Sequence, residues 1–105
     1  MRLPVPPVGV GDIVRIKAVI VRGKSQGAKT TFPEAAFRAQ YGFPKGQLFL
    51  ISGVQKFSAG RTVFVLRWPG HETLAKKTQV QRMRMPKERR IEFLTEVALG
   101  IIAVV

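Results

Sequence analysis

The sequence predicts a mainly β fold with α: a small β-barrel carrying a short helical insertion at about 33–41 and a C-terminal helix at about 86–100. Three observations predict it. From Asp12 to Arg22, Val14, Ile16, Ala18 and Ile20 alternate with Arg15 and Lys17, the period of two that marks a strand with one buried face. Gln47 to Phe57 and Arg61 to Trp68 are two apolar runs separated by Ser58-Ala59-Gly60, which is the pattern of a hairpin. Near the end, Ile91, Leu94, Ala98, Ile101 and Val105 recur at spacings of three and four, one apolar stripe of a helix.

The elements follow in chain order. Arg2 to Val8 reads R-L-P-V-P-P-V, and its three prolines favour an extended arm lying across the body. Gly9 and Gly11 permit a turn, and Asp12 opens the first strand. Val19 and Val21 make the second face of that strand apolar, so its far end needs a cover. Gly23 to Thr31 is a loop. Thr31 and Glu34 then have capping-box spacing, and Pro33 suits a first helical turn. A helix from about Pro33 to Tyr41 follows, anchored by Phe37 and Tyr41 and stopped by Gly42.

The second strand is buried on both faces, with a bulge or bend near Gly53. Pro69-Gly70 makes a turn after the hairpin. Thr78 to Met85 reads as a fourth strand, with Met83 and Met85 on one face and Arg82 and Arg84 on the other. Pro86 begins the last helix. Gly100 weakens it, and the β-branched Ile101, Ile102, Val104 and Val105 leave a short strand as the alternative for 97–105. A length of 105 residues suits one domain: an arm at 1–8, a body at 9–85 and a helical tail at 86–105.

A strand opening on Gly11-Asp12-Ile13-Val14, followed by glycine turns and a closing helix, resembles the SH3-like small barrels of the KOW and Tudor type. The resemblance is one of fold, covers about residues 9–85, and implies no particular activity.

Charge narrows the function. Eighteen Lys and Arg against six Asp and Glu leave a formal net charge of +12. Such an excess repels itself unless an anion neutralises it, and nucleic acid is the commonest anionic partner. The absence of cysteine removes disulfides, thiolate nucleophiles and cysteine-rich metal sites. Pro4, Pro6 and Pro7 interrupt the apolar run a signal peptide needs, and the apolar tail is shorter than a membrane span. A cytoplasmic or nucleoid-associated address is expected.

Two stretches invite a catalytic reading. Gly23 to Thr31 has P-loop-like spacing to Lys29-Thr30, but Ala28 stands where the second glycine belongs, and no nucleotide binding is expected. His71 is the single histidine; Glu72 beside it and Lys76 nearby would suit a metal-independent ribonuclease. MazF-type ribonuclease toxins are similar in opening near Gly-Asp-Ile-Val and closing with a helix. Their Arg-Pro at the next strand has no counterpart in Gly46-Gln47-Leu48, so no catalytic residue carries over. No cofactor or metal is expected.

The run from Lys76 to Arg90 carries the functional expectation: a DNA- or RNA-binding protein that contacts the phosphate backbone with little sequence readout. Lys87, Arg89 and Arg90 crowd a helix start whose dipole is already positive, an arrangement that an anion relieves. The expected contacts are Arg15, Lys17, Lys24, Lys29, Lys76, Lys77, Arg82, Arg84, Lys87, Arg89 and Arg90. An assembly subunit is the alternative, because Leu99, Ile102 and Val104 lie off the stripe facing the body and suit a homo-oligomer.

Overall fold

A computed structural model describes residues 8–22 and 29–104. Most of the expected arm, and the loop containing Lys24, lie outside the described residues. The elements are β1 (Ile13–Ile16), β2 (Val19–Arg22), β3 (Lys29–Phe32), α1 (Glu34–Tyr41), β4 (Phe49–Lys56), β5 (Thr62–Trp68), β6 (His71–Lys76), a 3-10 turn (Lys77–Gln79), β7 (Val80–Arg82) and α2 (Lys87–Val104). Five strands form an open antiparallel sheet in the order β6-β5-β4-β1-β7, and β2 pairs with β3 in a separate hairpin.

The connection between the two edge strands shapes the sheet. In a flat five-stranded sheet the edges stand about 19 Å apart, four strand spacings. From Lys76 to Val80 the chain advances four residues, a reach of at most about 14 Å. The sheet is therefore curled. β4 bends where its register against β5 shifts between Ile51 and Gly53, the expected bulge. β5 and β6 are joined by Pro69-Gly70 alone, with Trp68 paired to His71. Proline followed by a glycine at φ 77° is the combination a type II turn demands.

The two faces of the curl hold two cores. Val14, Ile16, Phe49, Ile51, Phe64, Leu66, Trp68, Ala75 and Val80 line the inside, with Phe37 of α1 and Phe43 packed among them. Phe49 meets both Phe43 and Trp68 edge-on, with centroids 5.1 and 5.0 Å apart. That is the geometry in which aromatic rings attract beyond the area they bury. Outside, Phe93 and Val97 of α2 cover Ile13, with Leu48, Leu50, Met83 and Met85 around them.

Several expectations need correction. The alternation from Asp12 to Arg22 is two strands, because the chain leaves the main sheet at Lys17-Ala18 and β2 takes β3 as its partner. Thr31 therefore pairs with Ile20 in that hairpin. The N-cap of α1 is Pro33, with no side-chain cap bond, while Gly42 closes the helix in the left-handed region as expected. His71 to Lys76 is a strand, and the expected fourth strand shrinks to Val80–Arg82.

The tail is helical to Val104, which excludes the strand alternative over 97–104. Its buried seam is Phe93 and Val97, not Ile91, Ala98 and Ile101, which are exposed. Gly100 continues that seam by contact. A Cβ on Gly100 would lie 2.3 Å from the backbone N of Gly70 and 2.7 Å from Cα of Pro69. The glycine lets α2 touch the β5–β6 turn, backbone against backbone.

Gly100→Ala therefore forces the helix off that turn. The overlap costs up to about 3 kcal/mol, against the roughly 1 kcal/mol that alanine's helix propensity returns. The expected result is a Tm lower by about 4–10 °C. A Tm equal to or above that of the native chain in a calorimetric scan would show that the contact is not tight.

Candidate nucleic-acid interface

The expected binding residues divide into braced and free ones. Asp12 is the brace. Its Oδ2 accepts the N–H of Gly9 at 2.8 Å and Nη2 of Arg82 at 3.0 Å, both partly buried. Arg90 donates to the carbonyl of Gly11 at 3.2 Å, tying the first turn of α2 to the same corner. Arg89 leans along its own helix, with Nη1 3.6 Å from Glu92 and 3.9 Å from Glu96. That nitrogen is shielded from solvent and has no hydrogen-bond partner. Arg82 thus ties β7, and Arg90 ties α2, to the corner before β1, while Arg89 is held within its own helix, and any anion reaching them competes with the protein's own acceptors.

The free cations cluster elsewhere. Lys17, Lys76, Lys77, Arg84 and Lys87 are exposed, and exposed Arg15 forks onto Oε1 of Gln81 at 2.9 and 3.1 Å. Strand alternation places Arg15, paired with Gln81, and Arg82, paired with Val14, on opposite faces of the sheet. Lys17 donates its backbone N–H to Gln79 in the 3-10 turn. One residue before that turn, Lys76 pairs with Val63 of β5. The backbone N–H of Lys76 in turn donates to Oε1 of Gln79 at 2.8 Å.

Further cations stand at the end of the β4–β5 hairpin. Lys77, Lys76 and Arg61 line a shallow cleft of about 390 Å³, and Lys56 stands opposite Thr62 at the same hairpin end. Lys56 and Arg61 were not among the expected contacts. Their position either side of Ser58-Ala59-Gly60 was the available signal, since a hairpin brings its two flanks together. Lys29 begins β3.

Acidic residues do not quench this track. Asp12, Glu72, Glu92 and Glu96, four of the six acids, are engaged by Arg67, Arg82 and Arg89. Arg67 reaches Glu72 at 2.6 Å across the β5–β6 ladder and donates to Ser52. Glu72 is thereby turned away from His71, because neighbouring strand residues face opposite sides. Lys76 lies five residues along β6, about 17 Å from His71. His71, Glu72 and Lys76 do not converge as the alternative ribonuclease reading requires. His71 instead stacks on Trp68, with centroids 5.0 Å apart and planes 22° from parallel.

Beside that stack is an open cleft of about 440 Å³, walled by the 44–48 loop, the β5–β6 turn and the first half of α2. Lys45, Gln47, His71, Arg89 and Glu96 line it. Among the described residues, no group of three His, Cys, Asp or Glu side chains can hold a metal ion, and no helix is long and apolar enough to cross a membrane. Comparison with protein-family models, curated proteins and solved structures finds no match for the chain.

The Asp12 brace differs in depth from the Arg67–Glu72 pair, whose side chains are more open to water. Asp12→Asn is expected to cost about 1–2 kcal/mol, since Arg82 keeps its charge and loses its carboxylate. Glu72→Gln is expected to cost less than about 1 kcal/mol. Urea midpoints of the two variants compare them directly, and equal midpoints would deny Asp12 its bracing role.

Proposed function

We propose that the protein binds nucleic acid through the phosphate backbone, without catalysing a reaction on it. One observation carries the reading: Arg61, Lys76 and Lys77 share one cleft, exposed Arg15 and Lys17 stand at the end of β1 that the Lys17 backbone N–H ties to the adjoining 3-10 turn, and most of the acids are engaged by other arginines. Lys and Arg side chains on such a track displace counterions from a polyanion and read little sequence. Arg84 and Lys87 extend it toward α2, and the curled sheet serves as its support, in the manner of an SH3-like barrel. DNA and RNA share the chemistry, and both suit a cytoplasmic or nucleoid-associated address.

The outer face of α2 favours a second property, self-association. Ile91, Leu99 and Ile102 are 54%, 61% and 71% exposed along it. Lys87, Arg89 and Arg90 balance Glu88, Glu92 and Glu96, so this helix is neutral in a chain of net charge +12. Two copies can meet there without the repulsion that the rest of the surface imposes. Paired copies would place two basic tracks on one strand and raise avidity through effective concentration.

Each reading has its own measurement. Converting Arg15, Lys17, Lys76 and Lys77 to Gln should lower the slope of log K against log salt by up to about 3.6 on duplex DNA. An unchanged slope in the folded variant would remove the track from the interface. For the helix, sedimentation of the native chain is expected to show a dimer that Leu99→Lys with Ile102→Lys converts to a folded monomer. A native chain monomeric at high concentration would sink the association.

A further inference from the structure

We infer that the cleft between α2 and the β5–β6 turn takes one guanine base, presented unpaired by a single strand. The inference rests on the nucleic-acid reading and adds to it a base-selective contact that the basic track lacks. Its grounds are the shape, the stacking surface and the donor and acceptor set of the cleft.

The volume, about 440 Å³, lies within the roughly 300–1,000 Å³ of ordinary ligand pockets. Its floor is apolar, with Leu48, Pro69 and buried Phe93. Its edge is a built aromatic stack: Trp68 is buried, His71 is exposed, and the two rings lie nearly parallel. The open side of His71 continues that stack with a third plate, and unpaired bases are held in this way on aromatic and imidazole rings.

The polar groups choose the base. Glu96 brings a carboxylate to the cleft wall. Its distance of 3.9 Å from Arg89 is beyond a hydrogen bond, so the oxygens retain their accepting capacity. Guanine presents two adjacent donors, N1–H and the N2 amino group, which match the two oxygens of one carboxylate. Adenine and cytosine place a ring-nitrogen acceptor beside their amino group, which repels it. Uracil and thymine place one N–H between two carbonyls. Donors for guanine O6 and N7 stand on the same lining in Lys45 and Arg89. Gln47 spends its amide N–H on the carbonyl of Leu48 at 2.7 Å, leaving its oxygen as a further acceptor.

The pocket lies at the His71 end of β6, about 17 Å along that strand from Lys76 and the basic track. Arg89 lies between Lys87 and Arg90 in the first turn of α2, and Gly100 pins that helix to the turn carrying His71. A strand neutralised by the exposed lysines can therefore drop one base beside His71.

The test uses the full chain and its single tryptophan. Quenching of Trp68 fluorescence is followed with GMP, IMP and AMP, and with uridine octamers carrying one G, one inosine or one A. GMP and the G octamer should bind about tenfold or more tightly than their adenine counterparts, the value of one bidentate base contact. Inosine lacks the N2 amino group and should fall between them. Glu96→Gln should abolish the preference for guanine while leaving the salt slope of the octamers unchanged. Equal affinity for G and A in both arms overturns the pocket and leaves the backbone reading intact. Guanine-selective quenching by GMP with no octamer binding supports the pocket for a free nucleotide and overturns the backbone reading. Silence in both arms overturns both.

Discussion

Three residues, Lys77 to Gln79, join the two edge strands of the sheet, and most of the architecture depends on that short connection. It forces the curl that the bend at Ser52-Gly53 makes possible. The curl gives the sheet an inside, where Phe49 and Trp68 meet Phe43 edge to face, and an outside left for α2. It also brings the start of β5 and the ends of β6 and β1 to the 3-10 turn, so Arg61, Lys76 and Lys77 share a cleft and Lys17 bonds to Gln79 of that turn. A longer connection would let the sheet flatten, separating the track and opening the aromatic core.

The elements visible in the sequence were those whose signals are local. The β4–β5 hairpin, the bulge near Gly53, the short helix closed by Gly42 and the helical tail follow from alternation, glycine placement and spacing. The failures have a common cause, the choice of partner. Val14, Ile16, Ala18 and Ile20 keep one face apolar throughout, but the strand changes sheets at Lys17-Ala18, and its local mark is the other face turning apolar at Val19 and Val21. In α2, apolar residues surround the helix, so periodicity cannot pick the buried seam. A hydropathy count also disregards Gly100, whose missing side chain lets α2 meet the Pro69-Gly70 backbone.

The same limit governs the candidate site. Seven cations in fifteen residues look alike as a charge run. Folding separates them by supplying acceptors from a distance: Asp12 for Arg82, seventy positions away, and the Gly11 carbonyl for Arg90. Among the described residues, Lys76, Lys77 and Lys87 form no ion pair with an acid and stay on the surface. Ammonium groups are strongly hydrated and tolerate that position, whereas the planar guanidinium matches a carboxylate in a half-buried corner. Arg84 stays on the surface with the lysines, so chemical type alone does not sort the run; a distant acceptor decides which guanidinium is held.

Among the described residues, the open sheet leaves β6 and β7 with one unpaired edge each. An unpaired edge is a template on which another chain can add a strand, the first step toward fibrous aggregates. Here β6 ends in Lys76, and β7 runs into Arg82 and Arg84. These charges act as gatekeepers, because a second copy approaching either edge brings the same charges with it. Protection of this kind is electrostatic and therefore conditional: a polyanion that neutralises the lysines and arginines also disarms the edges. Crowding on an anionic polymer, not crowding alone, is thus the condition under which this chain is most exposed to cross-strand assembly.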